Sequence, residues 1–258
     1  MAHGHRRRIS GLSTGTNFPG PLFTYSKRTG DGGEVIDEVF NQHPIHRPDW
    51  FDDFIGDVLA DQWLIHDTSS AGAPTTAVKT ATRNGIMELT LAADSEAEIV
   101  AIDWGNFQAI PATRAPLFQC RLNVAVLPIT AERMVWGLQS ARNSTLNSVA
   151  TNLWFRLEAS GALLMESDDG TTDNDDQATG VTLVAGTYYV FTIDARDKNA
   201  VTYWIADADG FNHRKLGTLA AAALAVTDLT QPVFAVQKDS GTGVPSMYID
   251  YVRTSWDR

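Results

Sequence analysis

The chain has 258 residues, of which 31 are acidic and 20 basic, giving a formal net charge of −11 at pH 7. With 43% hydrophobic and only 20% charged residues, the composition excludes an intrinsically disordered chain, a coiled coil and a collagen. The length is that of one large domain or two small ones, enough to enclose a sizeable core.

Three features indicate the cellular compartment in which the chain folds. The longest apolar run, 219–226, has eight residues, well short of the roughly 20 that cross a bilayer. The first residues carry positive charge but lack the apolar segment of a secretory signal. The single cysteine, Cys120, excludes an intrachain disulfide and indicates a buried thiol. We therefore expect a soluble protein without a membrane partner, assembled in a reducing cytoplasm.

The charge is divided at about residue 49. Residues 50–258 carry 14 basic and 26 acidic side chains, whereas residues 1–30 carry five basic side chains and no acidic one. Residues 1–49 show no sustained apolar periodicity, so they predict an extended, irregular arm that orders on another surface. A solvated terminus with an accidental basic run explains the same residues. The arm residues expected to make this contact are Arg6, Arg7, Arg8, Phe18, Phe23, Tyr25 and Phe40.

Beyond residue 50 the chain becomes a series of short β segments rich in β-branched and aromatic residues. Nine strands are predicted: 86–91, 98–102, 118–126, 134–138, 153–157, 187–193, 201–206, 233–236 and 247–252. Because βαβ alternation is absent, this spacing favours an all-β sandwich. In 118–126 the even-numbered positions are apolar, whereas Gln119, Arg121 and Asn123 share the opposite, polar face. The alanine-rich run 219–226 predicts at most a turn or two of helix.

The last predicted strand has a charge within it, which bears on its orientation. Ile249 and Tyr251 share one face, and Tyr248, Asp250 and Val252 share the other. Because a charge is least costly on the solvent side, we expect Ile249 and Tyr251 to face the core.

Four segments of the chain carry a family resemblance: WFDDFIGDVLADQW, LFQCRLNVAVLPITAERMVWGLQ, LWFRLEASGALLMESDDGTTD and PSMYIDYVRTSW. Over residues 51–258 the sequence resembles bacteriophage structural proteins with a concanavalin A-like, or laminin G-like, jelly-roll sandwich. The resemblance implies that the two ends of the domain pair in one sheet. Phe54 and Trp63 would then lie close to the C-terminal strand.

The same resemblance implies a role. It suggests a virion component such as a capsid decoration (cement) protein, with the arm 1–49 attached to the major capsid protein or to other virion structural proteins. The fold also includes lectins, glycosidases and lyases, so it does not decide the function.

The strongest catalytic candidate is the alternating set Asp94, Glu96 and Glu98, since alternation in a strand would place paired acids on one face. The order departs from the Glu-x-Asp-x-Glu pattern of glycosidases of this fold, and Asp94 falls in a turn. We favour a solvated acidic face, and we expect neutralisation of Glu96 and Glu98 to leave stability nearly unchanged. His66 and His213 are the only histidines beyond residue 50 and form no recognisable Ser/His/Asp arrangement. We therefore predict no catalytic residue and no enzyme.

A second acidic cluster, 166–176, holds six carboxylates in eleven residues. Two arrangements would relieve their repulsion: a calcium ion bound by Asp168, Asp173 and Asp175, or a hydrated hairpin loop. The spacing is not that of an EF-hand, so the hydrated loop is favoured and no metal or other cofactor is predicted.

Seven tryptophans offer flat faces of the kind that sugars stack on. Trp136, Trp154 and Trp204 lie inside predicted strands and are expected in the core, whereas Trp104, followed by Gly105, is expected to be exposed in a loop. Trp104 is therefore the candidate for glycan binding.

Together these features predict a non-enzymatic virion structural protein that attaches through its arm and stabilises the shell. Repetition on a symmetric shell would add avidity and favours a homo-oligomer. The alternative is a lectin-like module of a phage tail or fibre, and a glycosidase is less favoured. Nucleic acid is an unfavourable partner because the domain has a net charge of about −12.

Overall fold

A computed structural model describes residues 49–79, 85–197, 199–220 and 229–257. The chain divides into two compact units, Met1–His46 and Arg47–Arg258, and every described residue belongs to the second. The predicted arm lies outside the described residues except for its last position. Its seven expected contact residues therefore stay a prediction.

The described residues form sixteen strands and two single turns of 3-10 helix, Leu146–Ser148 and Ala159–Gly161. In chain order the strands are β1 (Asp49–Asp52), β2 (Leu64–Asp67), β3 (Thr75–Val78), β4 (Met87–Thr90), β5 (Glu98–Asp103), β6 (Ile110–Pro111), β7 (Leu117–Val126), β8 (Glu132–Gln139), β9 (Asn152–Leu157), β10 (Ala162–Asp168), β11 (Asp173–Thr182), β12 (Tyr188–Asp194), β13 (Ala200–Asp207), β14 (Arg214–Ala220), β15 (Leu229–Lys238) and β16 (Ser246–Ser255). No described segment is a helix of the length and apolarity that a membrane span requires.

The strands form two antiparallel sheets of eight strands each, a β-sandwich as predicted. Sheet A has the order β14-β13-β12-β7-β16-β4-β3, and β1 pairs with the end of β16. Sheet B has the order β11-β10-β9-β8-β15-β5-β2, and β6 pairs with the start of β15. At the centre of sheet A, β7 pairs with β12 and β16, and at the centre of sheet B, β15 pairs with β8 and β5. These partners are far apart in sequence, so the sheets depend on long-range pairing.

One hydrophobic core lies between the sheets because alternate side chains of each strand face inward. In β7, Phe118, Cys120 and Leu122 are fully buried in this core, which confirms the predicted alternation. Burial raises the pKa of the Cys120 thiol well above its usual range, as expected for a cysteine that packs as a small apolar side chain. Trp136 and Phe155 stack with ring centroids 5.9 Å apart at the centre of the core.

All nine predicted strands are present, but seven others were not predicted: β1, β2, β3, β6, β10, β11 and β14. The favoured hydrated loop at 166–176 is wrong in its extent, because 166–168 end β10 and 173–176 begin β11. β11 is an edge strand that is exposed along most of its length, so it lacks the apolar alternation that marks a strand. Residues 221–226 of the alanine-rich run lie outside the described part of the chain, and Leu219 belongs to β14.

The two ends of the described unit pair in sheet A, as the resemblance implied. Asp49 lies opposite Ser255 and Asp52 opposite Val252. Phe54 and Trp63 follow β1 into the core, where their ring centroids are 5.8 Å apart.

The predicted facing of β16 is correct for Ile249 and wrong for Tyr251 and Val252. Ile249 lies opposite Leu122 and Tyr251 opposite Arg121, so Asp250 is an extra residue in a β-bulge. The bulge reverses the alternation beyond it. Val252 is therefore fully buried in the core, and the Tyr251 hydroxyl donates to Gln119 Oε1 (3.2 Å) on the outer face.

Candidate functional site

The outer face of sheet A carries a row of side chains that we call the tyrosine row: Tyr188, Asn123, Tyr248 and Glu88. Tyr188 on β12 and Tyr248 on β16 both lie opposite Asn123 on β7, and Glu88 on β4 lies opposite Tyr248. Neighbouring strands are ~4.8 Å apart, so the two tyrosines stand about 10 Å apart with an amide between them. These residues face outward because their neighbours along each strand, such as Leu122 and Ile249, lie in the core.

Each tyrosine ring has a cation on one face. The Arg121 guanidinium carbon is 4.4 Å from the centroid of Tyr188, and Lys79 Nζ is 4.3 Å from the centroid of Tyr248. Such contacts contribute about 0.5–1 kcal/mol at exposed sites and fix the orientation of both ring and cation. The rings are partly exposed, so the row is a rigid surface feature.

Both cations are also ion-paired. Arg121 Nη1 is 2.5 Å from Asp250 Oδ2, and Lys79 Nζ is 2.7 Å from Glu88 Oε2. The bulge at Asp250 places this carboxylate beside Arg121, whose Nε donates to the backbone oxygen of Ala208 (2.8 Å). The charges of the two ion pairs cancel, so the tyrosine row taken together with Arg121, Lys79 and Asp250 has no formal net charge although the protein is acidic.

Near neutral pH, Tyr188 and the Lys79 beside Tyr248 each keep one protonation state. Burial raises the pKa of Tyr188, and the nearby Asp250 carboxylate adds to that shift. The hydrogen bond to Glu88 raises the pKa of Lys79. The phenol therefore stays neutral and the ammonium charged across the physiological range.

The centre of the row holds an amide that is buried between the two tyrosines. Asn123 is 5% exposed, and its Oδ1 accepts no hydrogen bond from the described atoms. Buried amide oxygens are nearly always hydrogen-bonded in folded proteins. The partly exposed groups of the site are the two aromatic rings and the ion pairs beside them, and these suit a ligand with both apolar faces and hydroxyl groups.

The carboxylates proposed from sequence are structural. Glu98 is not on a solvated face: its Oε2 lies 3.0 Å from Lys238 Nζ, and both side chains are fully buried. Glu96 is exposed, but it accepts hydrogen bonds from the Ser70 hydroxyl (2.6 Å) and backbone (2.8 Å), and these bonds lower its pKa. The backbone oxygen of Asp94 accepts from Lys238 Nζ (2.6 Å). The favoured solvated acidic face is therefore wrong for Glu98, and the set forms no pair of facing acids.

The expected exposure of Trp104 is also wrong. Its side chain is 9% exposed and belongs to the core, and its ring meets Trp50 edge-on with centroids 4.9 Å apart. The turn at Gly105 and Asn106 directs the chain outward but leaves the indole of Trp104 beneath it, so this ring offers no stacking surface. Trp136 lies in the core as predicted. Trp154 belongs to a second, smaller apolar cluster, and Trp204 is buried but belongs to neither.

The three weak calcium candidates lie at the edge of sheet B. Asp168 ends β10 opposite Asp173, which begins β11. Burial raises the pKa of Asp175, and the neighbouring Asp173 charge adds to that shift. Among the described residues, no three Asp, Glu, His or Cys side chains are placed so that they alone would hold a metal ion.

Sequence reasoning identified some members of the tyrosine row but not the row itself. Alternation placed Arg121 and Asn123 on the polar face of β7, and Tyr248 with Asp250 on the outer face of β16. Tyr188 was given no role, because the register that puts it opposite Asn123 is set by pairing across 65 residues of sequence. A partly exposed tyrosine at the start of an apolar strand was the available signal.

Comparison with known proteins shows the fold. No protein-family model matches the sequence, and no curated protein matches it. Among solved structures, a protein of unknown function from Shewanella oneidensis MR-1 has a TM-score of 0.57 at 12% identity, covering 89% of this chain and 97% of that chain. A family GH16 protein of the Bacteroides ovatus mixed-linkage glucan locus, in complex with an oligosaccharide product, has a TM-score of 0.55 at 11% identity, covering 79% and 98%. Winged bean acidic lectin, in complex with methyl-α-D-galactose, has a TM-score of 0.53 at 8% identity, covering 82% and 99%.

These likenesses confirm the predicted concanavalin A-like jelly-roll β-sandwich. At such low identity they show the fold and leave the chemistry to the residues of this chain.

Proposed function

We propose that the protein is a non-enzymatic, carbohydrate-binding jelly roll whose binding surface is the tyrosine row with its two ion pairs. The observation that carries the proposal is the arrangement of Tyr188 and Tyr248 on either side of Asn123 across three neighbouring strands, with each ring partly exposed and in contact with a cation. Aromatic rings pack on the C–H faces of sugars, and amide and ionic groups bind the hydroxyls.

The chemical class that fits best is a neutral oligosaccharide. Two rings about 10 Å apart match a ligand of at least two sugar units lying across the strands. Acidic glycans fit poorly because both cations are already paired with Asp250 and Glu88, and the protein has a net charge of −11.

The same groups argue against hydrolysis. Glycosidic cleavage requires two carboxyl groups, one of which donates a proton. At the tyrosine row, Glu88 and the neighbouring Asp250 are each paired with a cation, and Glu98 is buried against Lys238. The solved structures of similar fold include a lectin bound to a sugar and a family GH16 protein bound to its product, and both support carbohydrate as the ligand. The choice between binding and hydrolysis rests on the three carboxylates named above.

The proposal is tested with the full chain on an array of neutral and acidic oligosaccharides, followed by calorimetry on the best neutral ligand. We expect Tyr248→Ala and Tyr188→Ala each to weaken binding by about tenfold or more, equivalent to about 1.4 kcal/mol. Phe107→Ala is the matched control, since Phe107 is 74% exposed and lies outside the row. Equal binding by all variants would reject the site, and release of reducing sugar by the wild-type chain would reject the non-enzymatic assignment.

A second candidate function is capsid decoration, which the resemblance of four sequence segments to phage structural proteins favours. A lectin-like module of a phage tail or fibre would combine both functions. If the chain is a virion protein that attaches through its arm, mass spectrometry of purified particles should detect it. Replacing Arg6, Arg7 and Arg8 by serine in the full chain should reduce its co-sedimentation with particles, and undiminished co-sedimentation would move the contact onto the sandwich.

A further inference from the structure

One side of the tyrosine row is bordered by exposed aliphatic side chains, which we call the valine rim: Val126, Val184 and Val244. They are 45%, 60% and 38% exposed, respectively. Val126 ends β7, Val184 lies in the loop that leads into β12, and Val244 lies in the loop that leads into β16. These three strands carry Asn123 and the two tyrosines, so the rim lies beside the row at one end of sheet A.

Strand pairing places Val126 on the same outer face as the tyrosine row. Met247 lies in the core, so Ser246 before it faces outward. Val126 lies directly opposite Ser246 and shares this face. A bulge residue, Ala125, changes the alternation of β7 just before Val126. An apolar side chain is therefore exposed on the face that carries the tyrosines.

A tight turn holds Val184 beside β7, on the side opposite to β16. The backbone nitrogen of Gly186 donates to the backbone oxygen of Val124 (2.8 Å), and that of Thr187 donates to the backbone oxygen of Val184 (3.1 Å). A Cβ at Gly186 would meet nothing within 4 Å, so the space over this turn is open. The rim therefore extends across the ends of three neighbouring strands, which together span about 10 Å.

The size and position of the rim indicate what covers it. Three partly exposed valines are far too small a surface for a stable protein–protein interface, which buries about 800 Å² on each partner. A single exposed aliphatic side chain is ordinary, but these three adjoin the strands of one candidate site and extend it with apolar surface. A ligand that stacks its sugar rings on the tyrosines would carry its hydrocarbon part over the rim.

We propose that the valine rim binds the hydrocarbon chain of a glycoside whose sugar part occupies the tyrosine row. The ligand class is a neutral glycan that carries an aliphatic aglycone. This inference rests on the proposed function and adds to it the chemistry of the group attached to the sugar. The chain is held by removal of apolar surface from water, so its contribution to binding increases with its length until the rim is covered.

The test is calorimetry of the full chain with the methyl and octyl glycosides of the neutral oligosaccharide that binds best on the array, both below the critical micelle concentration. The octyl glycoside should bind at least about tenfold more tightly, equivalent to about 1.4 kcal/mol, which burial of about two CH₂ groups supplies. Val126→Thr combined with Val184→Thr should remove most of this advantage, because threonine has nearly the shape of valine but carries a hydroxyl group. Val58→Thr is the matched control and should keep the advantage, since Val58 is 81% exposed in the loop between β1 and β2.

The methyl glycoside separates this inference from the proposed function. Tyr248→Ala should weaken both glycosides by the same factor, because the ring contacts only the sugar. If the wild-type chain binds neither glycoside, the proposed function fails and the aglycone site fails with it. If the methyl glycoside binds and the octyl glycoside binds no more tightly, only the aglycone site is overturned.

Two further outcomes would overturn the aglycone site. One is an undiminished octyl advantage in the double valine variant, which would show that the chain adheres elsewhere. The other is a wild-type dimer in sedimentation that the double variant does not form, which would assign the rim to a second copy. If the double variant does not fold, as judged by far-ultraviolet circular dichroism, Val184→Thr in the loop replaces it and is held to the same outcomes.

Discussion

The buried ion pair of Lys238 and Glu98 should dominate the stability of one end of the sandwich. Lys238 Nζ donates to the backbone oxygens of Ala92 (2.5 Å) and Asp94 (2.6 Å) and lies 3.0 Å from Glu98 Oε2. The ammonium thus joins β15 and β5 to the loop that follows β4. Glu98 Oε1 also accepts from the backbone nitrogen of Ala92 (3.1 Å).

Removing one charge leaves the other buried and unpaired. We expect Lys238→Met to lower the free energy of unfolding by about 3–5 kcal/mol, because the Glu98 carboxylate would remain in the core with one backbone donor. Lys238→Met combined with Glu98→Leu removes both charges. The double variant should therefore cost at least about 2 kcal/mol less than the sum of the two single variants.

Urea unfolding of the two single variants and the double variant measures this coupling. The control is Asp239→Asn, which breaks an ion pair with Arg133 in which the Asp239 side chain is 47% exposed, and which should cost at most about 1 kcal/mol. A loss for Lys238→Met no larger than that of the control would refute the buried pair. It would restore the expectation that Glu98 lies on a solvated face.

Three further outcomes test the fold. Ile249 faces the core by regular alternation and Val252 through the bulge at Asp250, so Ile249→Ala should cost about 2–5 kcal/mol and Val252→Ala at least about 1.5 kcal/mol in chemical unfolding; a Val252→Ala variant as stable as the wild type would indicate that alternation continues through β16 without a bulge. Gly137 has φ +153°, and a Cβ there would lie 2.1 Å from a backbone oxygen of β9, whereas Gly186 has open space, so Gly137→Ala should destabilise clearly more than Gly186→Ala in a thermal melt. Burial lowers the pKa of His66 in the folded chain, so below about pH 6.5 this imidazole binds a proton more readily in the unfolded chain, and the free energy of unfolding should fall as the pH falls. His66→Gln should reduce this pH dependence, and an unchanged pH dependence would contradict the lowered pKa.

The strands with strong β character could be predicted from the sequence, and those without it could not. Segments such as β7 and β12 combine β-branched or aromatic residues with apolar alternation, so local pattern and burial agree. β10 reads ALLMESD and β11 DNDDQATGVT, with little of either signal. These two strands form because β9 offers an edge to pair with, which is a tertiary cause that no local window contains.

The candidate site was only half accessible from the sequence for a related reason. The face on which Arg121 and Asn123 lie follows from period-two alternation within β7. Which residues lie beside them depends on register, and Tyr188 and Tyr248 reach Asn123 from strands 65 and 125 residues further along the chain. The exposure of Trp104 was misjudged because a Gly-Asn turn indicates where the backbone emerges, not where the preceding side chain packs.

The tyrosine row stands where a strand departs from regular alternation. In β16 one extra residue places Asp250 beside Arg121 and completes the ion pair next to Tyr188. A bulge costs ladder hydrogen bonds and changes the direction of a side chain. Because this shift exists only in the pairing of β16 with β7, the ion pair beside Tyr188 follows from tertiary pairing and not from the local pattern of either strand.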